Sequence, residues 1–174
     1  MRKSLIFILA SFGMLSAAGS AMAQQAAPDC PATPVVPPEW SAWATPAAVA
    51  AVAEEKNLSS ADIGVGTASK VALLPTPSVH YIVAPEKPGG TVSKGGLVRF
   101  SIEKAGTYRV ALGSGAWIDV LEGGQPLESV AHGHGPDCSG IRKMVDFPLK
   151  AGVHILQIAA NGTPDVTVMV TPVP

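Results

Sequence analysis

The sequence is poor in aromatic residues, in charged residues and in cysteine. Of its 174 residues, 5% are aromatic and 14% are charged, with 12 basic against 13 acidic side chains. Proteins that bind nucleic acid rely on a basic surface, which this mildly acidic chain does not offer. The sequence also lacks a basic amphipathic helix of the kind that lies on membranes. Nucleic acids and membrane surfaces are therefore not expected partners.

Long apolar runs are confined to the beginning of the chain. After a positively charged start, an apolar run covers residues 5–18, which is shorter than the ~20 residues that a membrane-spanning helix needs. An Ala-x-Ala motif follows at residues 21–23. This pattern predicts a secretory signal peptide over residues 1–23, removed on export. We therefore expect a periplasmic or secreted protein that does not insert into the membrane.

Cys30 and Cys138 are the only cysteines. Disulfides persist in exported proteins, so the simplest expectation is one structural disulfide between them. Closing a loop of about 100 residues stabilises a fold by at most about 4.7 kcal/mol in the chain-entropy model. A thiolate metal ligand and a thiol linked to a partner are the alternatives.

Prolines crowd residues 24–44, which predicts an extended arm with polyproline character. Trp40 and Trp43 stand at its end, and we expect them to pack the arm onto the body because tryptophan buries a large apolar surface. Residues 45–62 form the next unit. There Thr45 can cap a helix, and a run of alanines favours one over residues 45–57. A helix of this length holds only by packing.

Residues 63–174 have the pattern of a β-sandwich domain. Short runs rich in valine and isoleucine alternate with glycine, proline and asparagine turns. This predicts a mainly β fold, an antiparallel β-sandwich of jelly-roll type. Within it, Trp117 is expected in the core, with a sugar-binding platform as the alternative, and Arg142 and Lys143 are expected on a solvated edge, with an anion site as the alternative. The predicted strands are 70–74, 79–83, 97–103, 107–112, 117–122, 143–147, 153–159 and 165–170.

Two stretches of this region repeat one pattern. FSIEKAGTYRVAL and FPLKAGVHILQI each read as a strand, a tight Ala-Gly turn and a returning strand. The alignment places Tyr108 opposite His154. We therefore expect His154 to fill a structural position rather than to bind a ligand.

The order AGTYRVAL, GAWIDVLEGGQPL, DFPLKAGVHILQI and DVTVMV, over residues 92–170, resembles the bacterial pre-peptidase C-terminal domain and related jelly-roll modules. The resemblance implies an accessory β-sandwich, in some members a binder of calcium or of a polymeric substrate. It also implies that Asp119 stands where such modules often carry an acidic residue.

The stretch AHGHGPDC collects residues that bind metals. His132 and His134 stand two residues apart, a spacing that suits copper, zinc or iron when both lie on a strand. A complete transition-metal site would need further ligands, from His80, Asp137 or Glu128. The alternatives are a glycine-rich loop with exposed or hydrogen-bonded histidines and Cys138 in the disulfide, or a pH sensor that uses the two imidazoles.

The longer segment HGHGPDCSGIRK looks like one found in short exported bacterial proteins, some of which have carried a homogentisate dioxygenase label. That likeness implies a metal-dependent oxidoreductase as the alternative function. Elsewhere the sequence has no signature of catalysis, since Ser114 lies in a Gly-Ser-Gly turn and not in a nucleophile elbow. The leading prediction is a non-catalytic, envelope-associated module without a cofactor, whose partner is an envelope protein or polymer.

Overall fold

The computed structural model describes residues 29–173. The predicted signal peptide, residues 1–23, and the first residues of the predicted arm, 24–28, lie outside this range, as does residue 174. Within the described range, no helix has the length and apolar character needed to cross a membrane.

Strands dominate the described chain, and its helical segments are short turns of 3₁₀-helix at Pro38–Ala44, Glu55–Ser60 and Thr76–Ser78. The strands are β1 (Ala47–Ala50), β2 (Ala68–Ala72), β3 (Leu74–Pro75), β4 (Lys94–Ile102), β5 (Gly106–Leu112), β6 (Trp117–Glu122), β7 (Gln125–Pro126), β8 (Ala131–Gly133), β9 (Lys143–Leu149), β10 (Gly152–Asn161) and β11 (Asp165–Pro172).

These strands form two sheets. The first sheet has six strands in the order β1-β2-β11-β5-β9-β8, and the second has five in the order β3-β4-β10-β6-β7. Neighbouring strands run antiparallel except β1 and β2, which are parallel. The predicted antiparallel β-sandwich is therefore confirmed.

One apolar core fills the space between the sheets. Phe100, Val120 and Leu156 of the second sheet share a buried cluster with Val110 and Val168 of the first. Each of these side chains is fully buried. Burial of a large apolar side chain stabilises a fold by about 1.5–3 kcal/mol. The inward-pointing side chains of the two sheets therefore hold the two layers together.

The α-helix expected over residues 45–57 does not form. Residues Ala47–Ala50 extend the first sheet instead, pairing with β2 from Ala47 opposite Ser69 to Ala50 opposite Ala72. A helix this short is marginal by itself. Pairing with an existing sheet, with Ala51 buried just beyond the strand, outweighs the helix propensity of alanine.

The strand expected over residues 79–83 does not form either. The backbone N–H groups of Ile82 and Val83 donate to the side-chain oxygen of Gln157, at 2.7 and 3.2 Å, instead of joining a strand ladder. Val79 packs with Leu58 and Leu97 in a small buried cluster. Residues 76–93 thus form a connection that lies on the second sheet.

The end of the arm packs on the body as expected, although part of it is helical rather than extended. The 3₁₀-helix Pro38–Ala44 buries Trp40 and Trp43, which cluster with Ala111 and Met169 of the first sheet. The predicted disulfide between Cys30 and Cys138 is present, and next to it the Val35 N–H donates to the Cys138 carbonyl.

Candidate ligand-binding site

A cleft of about 400 Å³ opens at the edge of the sandwich where the chain crosses from the second sheet to the first. β7 pairs only with Leu121 and Glu122, so the first half of β6 has a free edge. On the other side of the cleft, β8 forms the edge of the first sheet. The cleft is lined by Lys87, Trp117, Ile118, Asp119, Leu127, Ser129, His132, Lys143, Val145 and Phe147.

The floor and the rim of this cleft differ in character. Ile118, Val145 and Phe147 are buried core residues that reach the floor, and half-buried Leu127 joins them. The rim carries the charged and polar side chains. Ligand sites are typically apolar concavities with a few convergent polar groups, so this cleft is the candidate ligand site of the described structure.

Trp117 is the centre of the rim. The Lys87 Nζ lies 5.3 Å from the centroid of its ring, and the Lys143 Nζ lies 5.5 Å from it. Both distances fall within the range of a cation–π interaction, which contributes about 0.5–1 kcal/mol at exposed sites. Two ammonium groups from separate parts of the chain therefore converge on one indole.

Neither ammonium has a carboxylate within 4.0 Å among residues 29–173. The Lys143 Nζ donates to the carbonyl of Ala116 at 2.9 Å, which leaves two of its three protons for other acceptors. Burial lowers the pKa of Lys143, and the positive charge of Lys87 lowers it further. The negative charge of Asp119 in the same cleft raises this pKa, but neither ammonium group makes a salt bridge with a carboxylate of the described residues.

Asp119 lies beside Trp117 and is held by two donors. The Trp117 Nε1 donates to its Oδ1 at 3.0 Å, and the Gln157 Nε2 donates to its Oδ2 at 3.4 Å. Burial raises the pKa of Asp119, while these two hydrogen bonds act in the opposite direction. The carboxylate therefore orients the indole.

The calcium role that the family resemblance implies for Asp119 does not fit these surroundings. Calcium takes six to eight oxygen ligands, whereas both Asp119 oxygens here accept hydrogen bonds. The ammonium groups of Lys87 and Lys143 share the same cleft, and their positive charge disfavours a divalent cation.

Gln157 connects the cleft to the 76–93 connection. It lies opposite Asp119 on neighbouring strands, so both side chains point to the same face of the second sheet. Its amide accepts from Ile82 and Val83, and it donates to the Val83 carbonyl at 3.1 Å. Gln157 therefore fixes the chain that carries Lys87.

The structure does not bring the predicted metal-binding histidines together. His132 lies on β8 opposite Val145 and lines the cleft. His134 lines a separate hollow beside the disulfide, where its Nδ1 lies 3.1 Å from the carbonyl of Arg142. His80 lies next to a different residue, with its Nδ1 4.0 Å from Glu54.

Asp137 shares the hollow with His134, and so does the disulfide cysteine Cys138. Across residues 29–173, no three His, Cys, Asp or Glu side chains are grouped so that they could hold a metal ion. The described part of the chain therefore offers single histidines in separate places rather than a metal centre.

Ser129, His132 and Asp119 all line the cleft, the three residue types of a hydrolase triad. A triad needs the histidine to be hydrogen-bonded to both partners. Asp119 instead bonds to Trp117 and Gln157, and no hydrogen bond joins His132 to either residue in the described structure. The three side chains are therefore not connected as a triad in the described structure.

Reasoning from the sequence missed most of this site. Trp117 was expected in the core, but it is only half-buried and lines the cleft. Lys143 was expected on a solvated edge, but it folds over the indole. No sequence signal pointed to Gln157 either: a polar residue between Leu156 and Ile158 predicts an exposed side chain in a strand, whereas the structure buries it under the 76–93 connection.

The fold and the cleft together define the structural class of this protein: it is a two-sheet antiparallel β-sandwich with a cleft of ligand size at one edge. One similar solved structure is the pre-peptidase C-terminal domain of a collagenase from Bacillus anthracis. That comparison has 16% sequence identity and a TM-score of 0.39, and it covers 63% of this chain and 92% of that one. No protein-family model and no curated protein matches the chain. The likeness of the HGHGPDC segment to exported proteins with a dioxygenase label stays a prediction.

Proposed function

We propose that this protein is an exported, non-catalytic binding module and that the cleft around Trp117 is its ligand site. The observation that carries the proposal is the convergence on one indole of side chains from three places: Lys87 from the 76–93 connection, Asp119 from the second sheet, and Lys143 from the first. A core residue needs none of these polar neighbours, whereas a recognition site does.

Export is supported by the disulfide between Cys30 and Cys138, since such bonds persist in oxidising compartments, and by the signal-peptide pattern of residues 1–23. In the periplasm or outside the cell, the ligand would come from the envelope or the medium. A protein or a polymer of the envelope is the partner we expect. The alternative is a metal-dependent role for His132 and His134. Among residues 29–173, no three potential ligand side chains are grouped in a way that would support it.

The three tryptophans provide the test. In nitrogen-15 spectra of the protein purified from the periplasm, each indole N–H gives its own signal, and buried Trp40 and Trp43 serve as internal controls. We would titrate neutral and acidic oligosaccharides, peptides and small organic acids. At least one of these classes should shift the Trp117 signal and leave the other two in place.

A pair of variants controls the assignment. Ser129→Tyr fills the cleft and should abolish the shift, whereas Ser101→Tyr, at an exposed position of β4, should keep it. The proposal fails if no ligand class moves the Trp117 signal, or if binding survives in Ser129→Tyr.

A further inference from the structure

The positive charges in the cleft indicate which class of ligand it binds, an inference that rests on the proposed function. The Lys87 and Lys143 ammonium groups lie 5.3 and 5.5 Å from the same ring centroid, and neither has a carboxylate within 4.0 Å among residues 29–173. Two like charges held close together repel each other. An anion placed between them would remove that repulsion.

Asp119 offsets this positive charge only from a distance: its negative charge raises the pKa of Lys143, but among residues 29–173 its carboxylate is not within 4.0 Å of either ammonium group. Its two oxygens accept hydrogen bonds from Trp117 and Gln157, so its position is set by the indole and by the 76–93 connection. The Lys143 Nζ uses one proton on the Ala116 carbonyl. Its remaining protons and those of Lys87 are available to a ligand.

The apolar floor of the cleft indicates the chemistry of the uncharged part of the ligand. The cleft is also lined by Ile118, Leu127, Val145 and Phe147, apolar side chains that gain most from contact with an apolar body. The space, about 400 Å³, lies within the size range of small-molecule sites. A bare inorganic anion has no apolar body to cover this floor, which would stay in contact with water. A neutral sugar has no negative charge to pair with the two ammonium groups.

We propose that the cleft binds a small organic anion, a carboxylate with an apolar body of about one ring, whose charged group lies between Lys87 and Lys143 while the body rests on the floor. Lysine ammonium groups act as point charges, so they fix the sign of the ligand charge, and the floor selects the shape of the body.

The experiment compares four probes that separate charge from body: 3-phenylpropanoate, its neutral amide, 3-phenylpropylammonium and acetate. The Trp117 indole signal and calorimetry report binding. The carboxylate should bind at millimolar concentration or better and at least roughly tenfold more tightly than the amide, since only the carboxylate offers a charged acceptor to the two ammonium groups. The ammonium compound and acetate should bind more weakly than the carboxylate. Added salt should weaken carboxylate binding because the rim is exposed to solvent.

Three lysine variants locate the anion. Lys87→Met and Lys143→Met should each weaken 3-phenylpropanoate binding by roughly tenfold, and Lys87→Arg should retain most of it. Lys70→Met is the matched control, because Lys70 is an exposed lysine on β2, away from the cleft, and it should bind like the wild type.

Two results overturn the inference: equal affinity for carboxylate and amide, or no shift of the Trp117 signal by 3-phenylpropanoate at millimolar concentration. Each leaves the proposed function to the broader ligand titration, where neutral oligosaccharides or peptides that shift Trp117 would still support it. If those also fail, the binding function itself is wrong.

Discussion

Tyr108 and His154 make equivalent hydrogen bonds in two Ala-Gly connections, from β4 to β5 and from β9 to β10, each of which crosses from one sheet to the other instead of forming a hairpin within a sheet. The Tyr108 hydroxyl donates to the carbonyl of Lys104 at 2.8 Å, and the His154 Nε2 lies 2.9 Å from the carbonyl of Lys150. Each bond spans four residues and closes an Ala-Gly turn. The repeated sequence pattern therefore corresponds to a repeated structural device, and His154 has the structural position that the alignment assigned to it.

This equivalence predicts the cost of removing either side chain. Tyr108→Phe should lower the free energy of unfolding by about 1 kcal/mol, because it deletes one hydrogen bond and keeps the ring. His154→Ala should cost more, about 3 kcal/mol, since His154 is buried against Phe100 and its loss leaves a cavity.

Urea denaturation of the two variants and the wild type measures both costs. His154→Phe is the informative third variant. It refills the cavity and also removes the Nδ1 atom, which is buried without a partner among the described residues. It should therefore be more stable than His154→Ala. If His154→Phe is as unstable as His154→Ala, the ring has a role beyond packing.

Removing the disulfide should destabilise the protein without changing its ligand site. The bond joins residues separated by 108 positions, and loss of such a bond typically costs 2–5 kcal/mol. Replacing Cys30 and Cys138 together by serine should lower the free energy of unfolding by about that amount. Neither residue lines the cleft, so titration of the Trp117 signal should give an unchanged affinity.

Wild-type protein treated with a reducing agent is the control for this prediction, and it should unfold at the same urea concentration as the double variant. A loss of ligand affinity in the double variant at temperatures where it is folded would instead mean that the hollow beside the disulfide takes part in binding.

Gln157 should control both the 76–93 connection and the affinity of the cleft. In Gln157→Leu, Ile82 and Val83 lose the acceptor of their N–H groups, at a cost of about 1–3 kcal/mol for each group left unsatisfied. Amide hydrogen exchange at these two residues should become much faster, while exchange in β11 stays slow. Ligand affinity should fall because Lys87 is no longer held over Trp117.

Gln157→Glu is the partner variant, since it keeps an acceptor for the two N–H groups but loses the donor to Asp119 and to the Val83 carbonyl. It should protect Ile82 and Val83 better than Gln157→Leu does. Unchanged exchange at both residues in Gln157→Leu would mean that the connection is held by its apolar contacts alone.

The two layers could be predicted because parts of the strands alternate between buried and exposed residues. Along β4 the buried Phe100 and Ile102 flank the exposed Ser101, a period of two that only a sheet with one wet face satisfies. Segments with weak local signals were read wrongly. Ala47–Ala50 has the composition of a helix and became a strand through its pairing with β2.

The cleft could not be predicted, because it depends on how the two sheets are placed against each other. No local pattern relates Lys143 on β9 to Trp117 on β6, which belong to different sheets. The opposition of Gln157 and Asp119 likewise depends on the register between β10 and β6. Register is set by the whole core rather than by either strand.

Asp119 should make the stability of the protein depend on pH. Burial raises the pKa of its carboxyl above the ordinary 3.8, so over an interval above that value the folded protein keeps a proton that the unfolded chain has lost. The stabilisation from this proton is fully present below the ordinary pKa. It is lost as the pH rises through the higher pKa of the folded state.

Asp119→Asn has no carboxyl at this position and therefore lacks this dependence. The difference in free energy of unfolding, wild type minus Asp119→Asn, should decrease as the pH rises from about 3 to about 6. The charged neighbours Glu86, Lys87 and Lys143, and His132 on the opposite wall, are present in both proteins. To first order, their contributions cancel in the difference.

Denaturation in urea at a series of pH values measures this difference directly. An increase with pH would mean that the hydrogen bonds from Trp117 and Gln157 outweigh burial, so that the pKa of Asp119 is lowered rather than raised. The carboxylate would then be a tightly held anchor of the indole, and Asp119→Asn would loosen the cleft at neutral pH, which the Trp117 signal would report as a shift in the absence of any ligand.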